Sequence, residues 1–286
     1  MEPLKDIVII YHNHCPDGMG ACWSAWKKFG AEASYIPASD RNIAPEGLVN
    51  KEIYIADFCY PKEVLTKLVE ENKKVVVLDH HVTSRDDVLS VEGSIFDLNR
   101  SGATITWDYF FETKPRPRLL DYLEDGDLFK MILPHQDKLT HRIAATPFTI
   151  EDYNELVEKF ENEFENVLIE GKAIALYVDT LFKRMEEDFE MVLFEGIVMP
   201  SINVSLPRTT KSQLLARVYE KIPPIAMAYR YDKGLWKVSL RSDKTVDCSK
   251  LAEKYGGGGH VGAAAFIVPT GFPLPFVKIS HIKDEK

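Results

Sequence analysis

Two α/β units joined by helices are the architecture this chain spells out, and three features carry it. Short β-branched runs alternate with helical spacing through the first 130 residues, an acidic helical stretch runs from Thr149 to about Phe194, and short strands return beyond Gly196. Strand-helix-strand repetition implies a mostly parallel, doubly wound sheet in the first part. The expected division is 1–148, a connecting helical segment 149–194, and a smaller C-terminal α/β domain 195–286.

Taken in order, Ile7-Val8-Ile9-Ile10-Tyr11-His12 is a β-branched strand, and from Gly18 to Phe29 the residues Met19, Cys22, Trp23 and Trp26 recur at helical spacing. Ser34-Tyr35-Ile36 and Glu52-Ile53-Tyr54-Ile55-Ala56-Asp57 are further strands. A helix opens with Pro61 in its first turn, where the fixed φ of proline fits. The apolar run Lys74-Val75-Val76-Val77 then leads into Leu78-Asp79-His80-His81, so a buried strand ends on one carboxylate and two imidazoles. Between Thr149 and Phe194, Tyr153, Leu156, Phe160, Phe164, Val167 and Leu168 form an apolar stripe among glutamates, with Thr149 and Asp152 as a partial capping box. Ile225 to Arg230 and Leu235 to Arg241 are strands of the second domain. Pro269, Pro273 and Pro275 mark an irregular end, and neither an internal repeat nor a low-complexity tract is present.

At 286 residues, with 45% hydrophobic and 28% charged side chains, the composition is that of a soluble globular protein. No apolar run approaches the roughly 18 residues of a membrane span, and the N-terminus lacks a signal-peptide pattern, so the expectation is a cytoplasmic protein without a membrane partner. Four cysteines without CxxC pairing (Cys15, Cys22, Cys59, Cys248) are expected to be free thiols. A net charge of −9 argues against binding long duplex nucleic acid. The charge is uneven: residues 151–200 carry 14 acidic and 4 basic side chains, whereas residues 201–250 carry 10 basic and 4 acidic. The second segment can attract phosphate.

Ligands of doubly wound sheets bind beyond the carboxyl ends of the strands. His12, Asp57 and the Asp79-His80-His81 run all fall at such ends, so they should converge on one edge. Imidazole suits Mn, Fe and Zn, and carboxylate suits Mg and Mn, so the mixture points to a hydrolytic metal centre. Each residue alone also has a plainer role, as a turn-capping aspartate or a loop histidine.

The motifs His12-Asn13-His14-Cys15-Pro16-Asp17-Gly18-Met19-Gly20-Ala21, Asp57, Asp79-His80-His81 and Leu123-Glu124-Asp125-Gly126-Asp127-Leu128-Phe129 resemble the four successive motifs of the DHH phosphoesterase superfamily. Gly256-Gly257-Gly258-Gly259-His260, followed by Ala263-Ala264-Ala265-Phe266, resembles the glycine-rich signature of the DHHA1 domain. The resemblance spans roughly residues 7 to 266. It implies an N-terminal DHH metal domain and a C-terminal DHHA1 substrate domain, in a superfamily that includes nanoRNases, cyclic-dinucleotide phosphodiesterases, RecJ, pyrophosphatases and exopolyphosphatases. By position, His12 and Asp17 would hold metal, Asp57 would bridge two ions, His80 would bind the second, His81 would contact the scissile phosphate, and Asp79 would orient a histidine from outside the first coordination sphere. Two manganese ions are implied, with Mg2+ or another divalent ion as the alternative. The first motif normally has two aspartates two residues apart; Cys15 occupies one of those places, either as a ligand or as an ordinary buried thiol. In the fourth motif Asp125 is favoured over Asp127 on its spacing to Phe129.

Backbone N–H groups of Gly257, Gly258 and Gly259 beside His260, read as a helix start, are candidates to receive phosphate, with Arg241 as a cation; Ser101 and Gly102, opening a helix, are a second candidate. Tyr229, Tyr231 and Trp236 are either base-stacking rings or core residues. The reading is therefore a two-metal phosphoesterase of short oligonucleotides or dinucleotides, acting as monomer or homodimer. A phosphomonoesterase or polyphosphatase, and a nucleotide-binding module that has lost turnover, are the alternatives.

Overall fold

The computed structural model describes residues 3–38, 40–269, 271 and 274–279, apart from the side chain of Thr209. The chain divides into two compact units, Met1–Ala175 and Leu176–Lys286, and the division falls inside a helix. Among the described residues no helix is long and apolar enough to cross a membrane.

The first unit holds β1 (Ile7–His12), α1 (Pro16–Phe29), β2 (Ala33–Ala38), β3 (Glu52–Ala56), α2 (Lys62–Glu71), β4 (Lys74–Asp79), α3 (Arg85–Leu89), β5 (Ile95–Phe96), α4 (Gly102–Phe110), α5 (Arg118–Asp127), α6 (Gln136–Ala144), α7 (Ile150–Asn162) and the start of α8 (Phe164–Met185). The strands form one parallel sheet ordered β2-β1-β3-β4-β5. Successive side chains of a strand point to opposite faces. Val8, Ile10, Ile53, Ile55, Val75 and Val77 accordingly pack with Leu65 and Leu68 of α2, while Ile9, Tyr54, Val76 and Leu78 pack with Ala25 of α1 and Ile105 of α4. Fully burying one such aliphatic side chain contributes roughly 1.5 to 3 kcal/mol. Clamped on both faces, the strand ends become rigid posts for polar side chains.

Helix α7, expected to connect domains, packs into the first unit: Tyr153, Leu156 and Phe160 share a cluster with Trp23, Trp107 and Leu123. Thr149 caps it as expected, its hydroxyl accepting the Asp152 N–H at 3.1 Å. Pro61 stands one residue before α2, at its N-cap, and α1 starts at Pro16 rather than Gly18.

The second unit continues with β6 (Glu190–Phe194), β7 (Ile197–Asn203), α9 (Arg208–Lys221), β8 (Ile225–Asp232), β9 (Leu235–Ser242), α10 (Cys248–Glu253), β10 (Gly258–His260), β11 (Ala263–Pro269) and β12 (Val277–Lys278). They form a seven-stranded sheet, β10-β11-β9-β8-β7-β6-β12, in which only β7 and β8 pair in parallel. Residues 190–194, expected to be helical, are therefore strand: Val192 and Phe194 alternate into the core. The proline-rich end is likewise more regular than expected, since Pro269 closes β11 and β12 pairs with β6; Pro273 lies outside the described residues. Tyr229 is a core residue with Trp236 packed against it, and Tyr231 is exposed against that Trp. None of the four cysteines forms a disulfide, and all are buried.

Candidate metal centre

Parallel pairing brings the carboxyl ends of β1, β3 and β4 to one edge of the first sheet. His12 ends β1, Asp57 follows β3, and Asp79, His80 and His81 end and follow β4. Cys15 and Asp17 come from the start of α1, and Asp127 from the end of α5. His12 Nδ1 lies 3.2 Å from Asp57 Oδ2, while His80 Nε2 lies 3.4 Å from Asp57 Oδ1, 3.4 Å from Asp127 Oδ2 and 4.0 Å from Asp17 Oδ2. The two oxygens of Asp57 thus face two different donor sets. Ligand-type atoms of His12, Cys15 and Asp57 lie within 4.8 Å of one another, as do those of Asp17, His80 and Asp127.

Close packing fixes this edge. Asp57 adopts φ 62°, the left-handed region that is strained for most non-glycine residues and recurs at functional sites. Gly102 sits against it: an added Cβ would come within 2.5 Å of Asp57 Cβ and 2.8 Å of its Cα. Gly18 is equally constrained, since a Cβ there would meet the His12 carbonyl oxygen at 2.2 Å. Asp17 accepts the N–H groups of Gly102 and Ala103 at 2.7 and 3.2 Å, so the positive end of α4 holds this carboxylate. Ser101 caps the same helix through a reciprocal pair with Thr104. Ser101 and Gly102 are therefore occupied in building the edge.

Asp79 Oδ1 accepts the His80 N–H at 2.8 Å and meets His81 Nδ1 at 2.7 Å. Burial works to raise Asp79, but the charge and hydrogen bond of His81, with the charge of His80, hold it below the usual carboxylate range. An ionised acceptor at Nδ1 makes that nitrogen the protonated one and Nε2 the acceptor. Asp125 is not in the cluster. Its oxygens accept the backbone N–H groups of Ile132 and Leu133 at 3.0 and 3.2 Å, bracing the turn after α5. The fourth-motif residue at the edge is Asp127, because two helix residues span about 200° and send the two side chains to opposite sides.

Three buried or partly buried carboxylates crowd two imidazoles here. Burial, then the charges of Asp57 and Asp127, push Asp17 well above the usual carboxylate range. Burial also works to raise Asp57, yet hydrogen bonds from His12 and His80 and the charges of His12 and His81 hold it well below. Burial depresses the His80 imidazole, and the hydrogen bond it donates to Asp57, with the charges of Asp127, Asp57 and Asp17, overrides it and raises the group to about 10. Oxygen, nitrogen and sulfur donors packed with this much mutual repulsion fit divalent cations.

In the second unit, Gly258 to His260 form a hairpin strand and not a helix start. The glycines serve close approach: a Cβ on Gly257 would lie 2.2 Å from the Ala265 carbonyl oxygen, and one on Gly259, which has φ 147°, would lie 2.4 Å from the Ala263 carbonyl oxygen. Ala263 pairs with His260 on one side and Arg241 on the other, so both point from one face, about 10 Å apart at two strand spacings. Lys237 and Arg230, a cross-strand pair, share that face, and Arg241 Nη2 donates to Ser212 of α9 at 2.6 Å. Lys211, also on α9, is pulled down to about 8 by burial and by the charges of Arg241, Arg230, Arg208 and Lys237. No periodicity in the sequence had separated α9 from its surroundings, and Lys211 was missed with it; the density of basic residues over 201–250 was the available signal.

Residues 212–274 match the DHHA1 domain. Over 95% of its length the chain is 28% identical to an uncharacterized protein of Acanthamoeba polyphaga mimivirus, covering 70% of that protein. Its fold is similar to that of PggH, a pGpG-specific phosphodiesterase from Vibrio cholerae, at TM-score 0.51 and 15% identity over 93% of this chain and 94% of that one. It is also similar to RecJ of Thermus thermophilus in complex with Mn2+, at TM-score 0.51 and 16% identity over 93% of this chain and 50% of RecJ.

Proposed function

We propose that the chain, whose residues 212–274 match the DHHA1 domain, is a member of the DHH/DHHA1 phosphoesterase superfamily and a divalent-metal-dependent hydrolase, using manganese, of phosphodiester bonds in short oligonucleotides or dinucleotides. The observation that carries the reading is Asp57, whose two oxygens face the His12 set and the His80 set from a rigid strand end. His12 with Asp57 would hold one ion, and Asp17, His80, Asp127 and Asp57 the other. Divalent ions held there would supply an activated water and offset the negative charge developing on the phosphoryl oxygens.

The side chains do the positioning. Asp79 holds the His81 ring with Nε2 as its accepting nitrogen, suited to take a hydrogen bond from a bound nucleophile or, when protonated, to give one to a phosphoryl oxygen. The cation-rich face of the second unit, with Arg241, His260, Lys211 and Lys237, would receive the phosphates of the substrate. An acidic chain with one basic face favours short anions over long polymers. Four buried cysteines outside any disulfide suit work in the reducing cytoplasm.

A substrate panel tests the proposal: di- to decanucleotides of RNA and DNA, cyclic dinucleotides, 3′-phosphoadenosine 5′-phosphate, polyphosphate and pyrophosphate, each with Mn2+ and Mg2+. The shortest diesters should be preferred steeply. Asp57→Asn, chosen because asparagine tolerates the left-handed backbone, should lower turnover by more than the roughly 100-fold that losing an outer-sphere partner of a metal ligand can cost. Pyrophosphate as the one good substrate, or undiminished activity in chelator, would overturn the assignment.

A further inference from the structure

Cys15 stands where the superfamily's first motif offers an aspartate, and its surroundings differ from those of the other thiols. Cys59, Cys22 and Cys248 each sit in an apolar cluster, as small buried hydrophobes do. Cys15 is just as buried, at 3% exposure, yet its sulfur lies within 4.8 Å of a ring nitrogen of His12 and a carboxylate oxygen of Asp57. It is also the N-cap residue of α1, and its side chain makes no capping hydrogen bond to the helix. The positive end of α1 favours the negative charge that a metal-bound sulfur carries.

Resting on the reading of this edge as a metal centre, we propose that Cys15 is a thiolate ligand to the ion held by His12 and Asp57, so that the two metal positions are chemically unequal. A sulfur, nitrogen and oxygen set selects a thiophilic divalent ion such as zinc, iron(II) or cobalt(II). The set of Asp17, Asp57, His80 and Asp127, with oxygen donors and one imidazole, suits manganese or magnesium. On binding, the sulfur–metal bond forms as the thiol proton leaves to solvent, with no change of oxidation state. The centre would then carry a tightly held structural ion beside an exchangeable one.

Cobalt(II) titration of the metal-free full-length chain tests this, with equilibrium dialysis measuring bound cobalt separately. A sulfur-to-cobalt charge-transfer band in the near ultraviolet should grow with the first equivalent, be displaced by zinc and not by magnesium, and persist in Cys248→Ser. Cys15→Asp and the nearly isosteric Cys15→Ser should both lose the band, and Cys15→Asp should still bind cobalt by dialysis. Cobalt bound by the wild-type chain without the band, a band retained in both Cys15 variants, or a band displaced by magnesium would overturn the thiolate role and leave the metal centre standing. Absence of bound cobalt in the wild-type chain would overturn both.

Discussion

The strand-end edge of the first unit and the α9-side face of the second are crowds of like charge with opposite signs. At the edge, negative neighbours and burial raise Asp17 well above its ordinary range. On the face, burial and four cationic neighbours pull Lys211 down to about 8. At each place one group, Asp17 or Lys211, has its charged form disfavoured in the ligand-free chain, because burial and like-charged neighbours oppose it. A partner of opposite sign would relieve each, which under the proposed function means cations at the edge and phosphates on the face. They differ in how they are held. The edge is braced by backbone, through Gly18, Gly102 and the start of α4. The face is set by strand register and by long flexible side chains.

Backbone bracing implies that the edge fails abruptly. In Gly102→Ala the new methyl would press on Asp57 Cβ and Cα at 2.5 and 2.8 Å, and the Asp57 N–H is already tied to the Leu78 carbonyl at 2.9 Å. Neither side can retreat without moving the Asp57 carboxylate. We expect loss of stability on the order of 1 to 3 kcal/mol, and a fall in metal affinity and turnover of at least about 100-fold. Thermal melts read the first, and cobalt dialysis with diester hydrolysis reads the second. A variant that binds metal as the wild type does would show that the close approach is incidental.

That contrast also explains what could be read from the chain beforehand. His12, Asp57, Asp79, His80 and His81 were legible because each ends an apolar run, and parallel strands must deliver such residues to a common edge. Asp127 was not separable from Asp125, since spacing in sequence does not say which side of the final turn of α5 faces the centre. The glycines at 257–259 were recognised, but not as part of a strand: they admit a close antiparallel neighbour, which only the pairing of β10 with β11 reveals. Residues 190–194 looked helical by continuation of the acidic stripe, whereas the alternation of Val192 and Phe194 is too short to outweigh it.

Flexible side chains imply that the face should fail gradually. Arg241→Ala removes one cation from the row it shares with His260 and leaves the metal edge untouched. A hydrogen bond to a charged group contributes about 1.5 to 3 kcal/mol, so kcat/KM for a dinucleotide should fall roughly 10- to 100-fold, carried mainly by KM, with bound metal unchanged. Arg241→Lys should recover part of the loss, because a point charge replaces a fork. A fall in kcat alone at constant KM would place Arg241 in the chemistry and not in phosphate binding.

The smallest effect tests whether the cation crowd is a liability in the absence of ligand. Lys211 has a folded-state value near 8, below its ordinary 10.5. A base depressed in this way destabilises the fold wherever the unfolded chain would carry the proton, so the penalty is complete below about pH 8 and vanishes as pH rises to the unfolded value. Lys211→Met keeps most of the buried stem and removes the charge. It should stabilise the ligand-free protein by on the order of 1 kcal/mol at neutral pH, and the gain should shrink through the window between pH 8 and 10.5. Phosphate-bearing ligands should reverse the order: a dinucleotide bearing a 5′-phosphate ought to raise the melting temperature of the wild-type chain more than that of the variant. Equal ligand shifts in both would remove Lys211 from the phosphate face, and a variant less stable than the wild type at pH 7 would mean that packing of its amine, and not repulsion, governs this position.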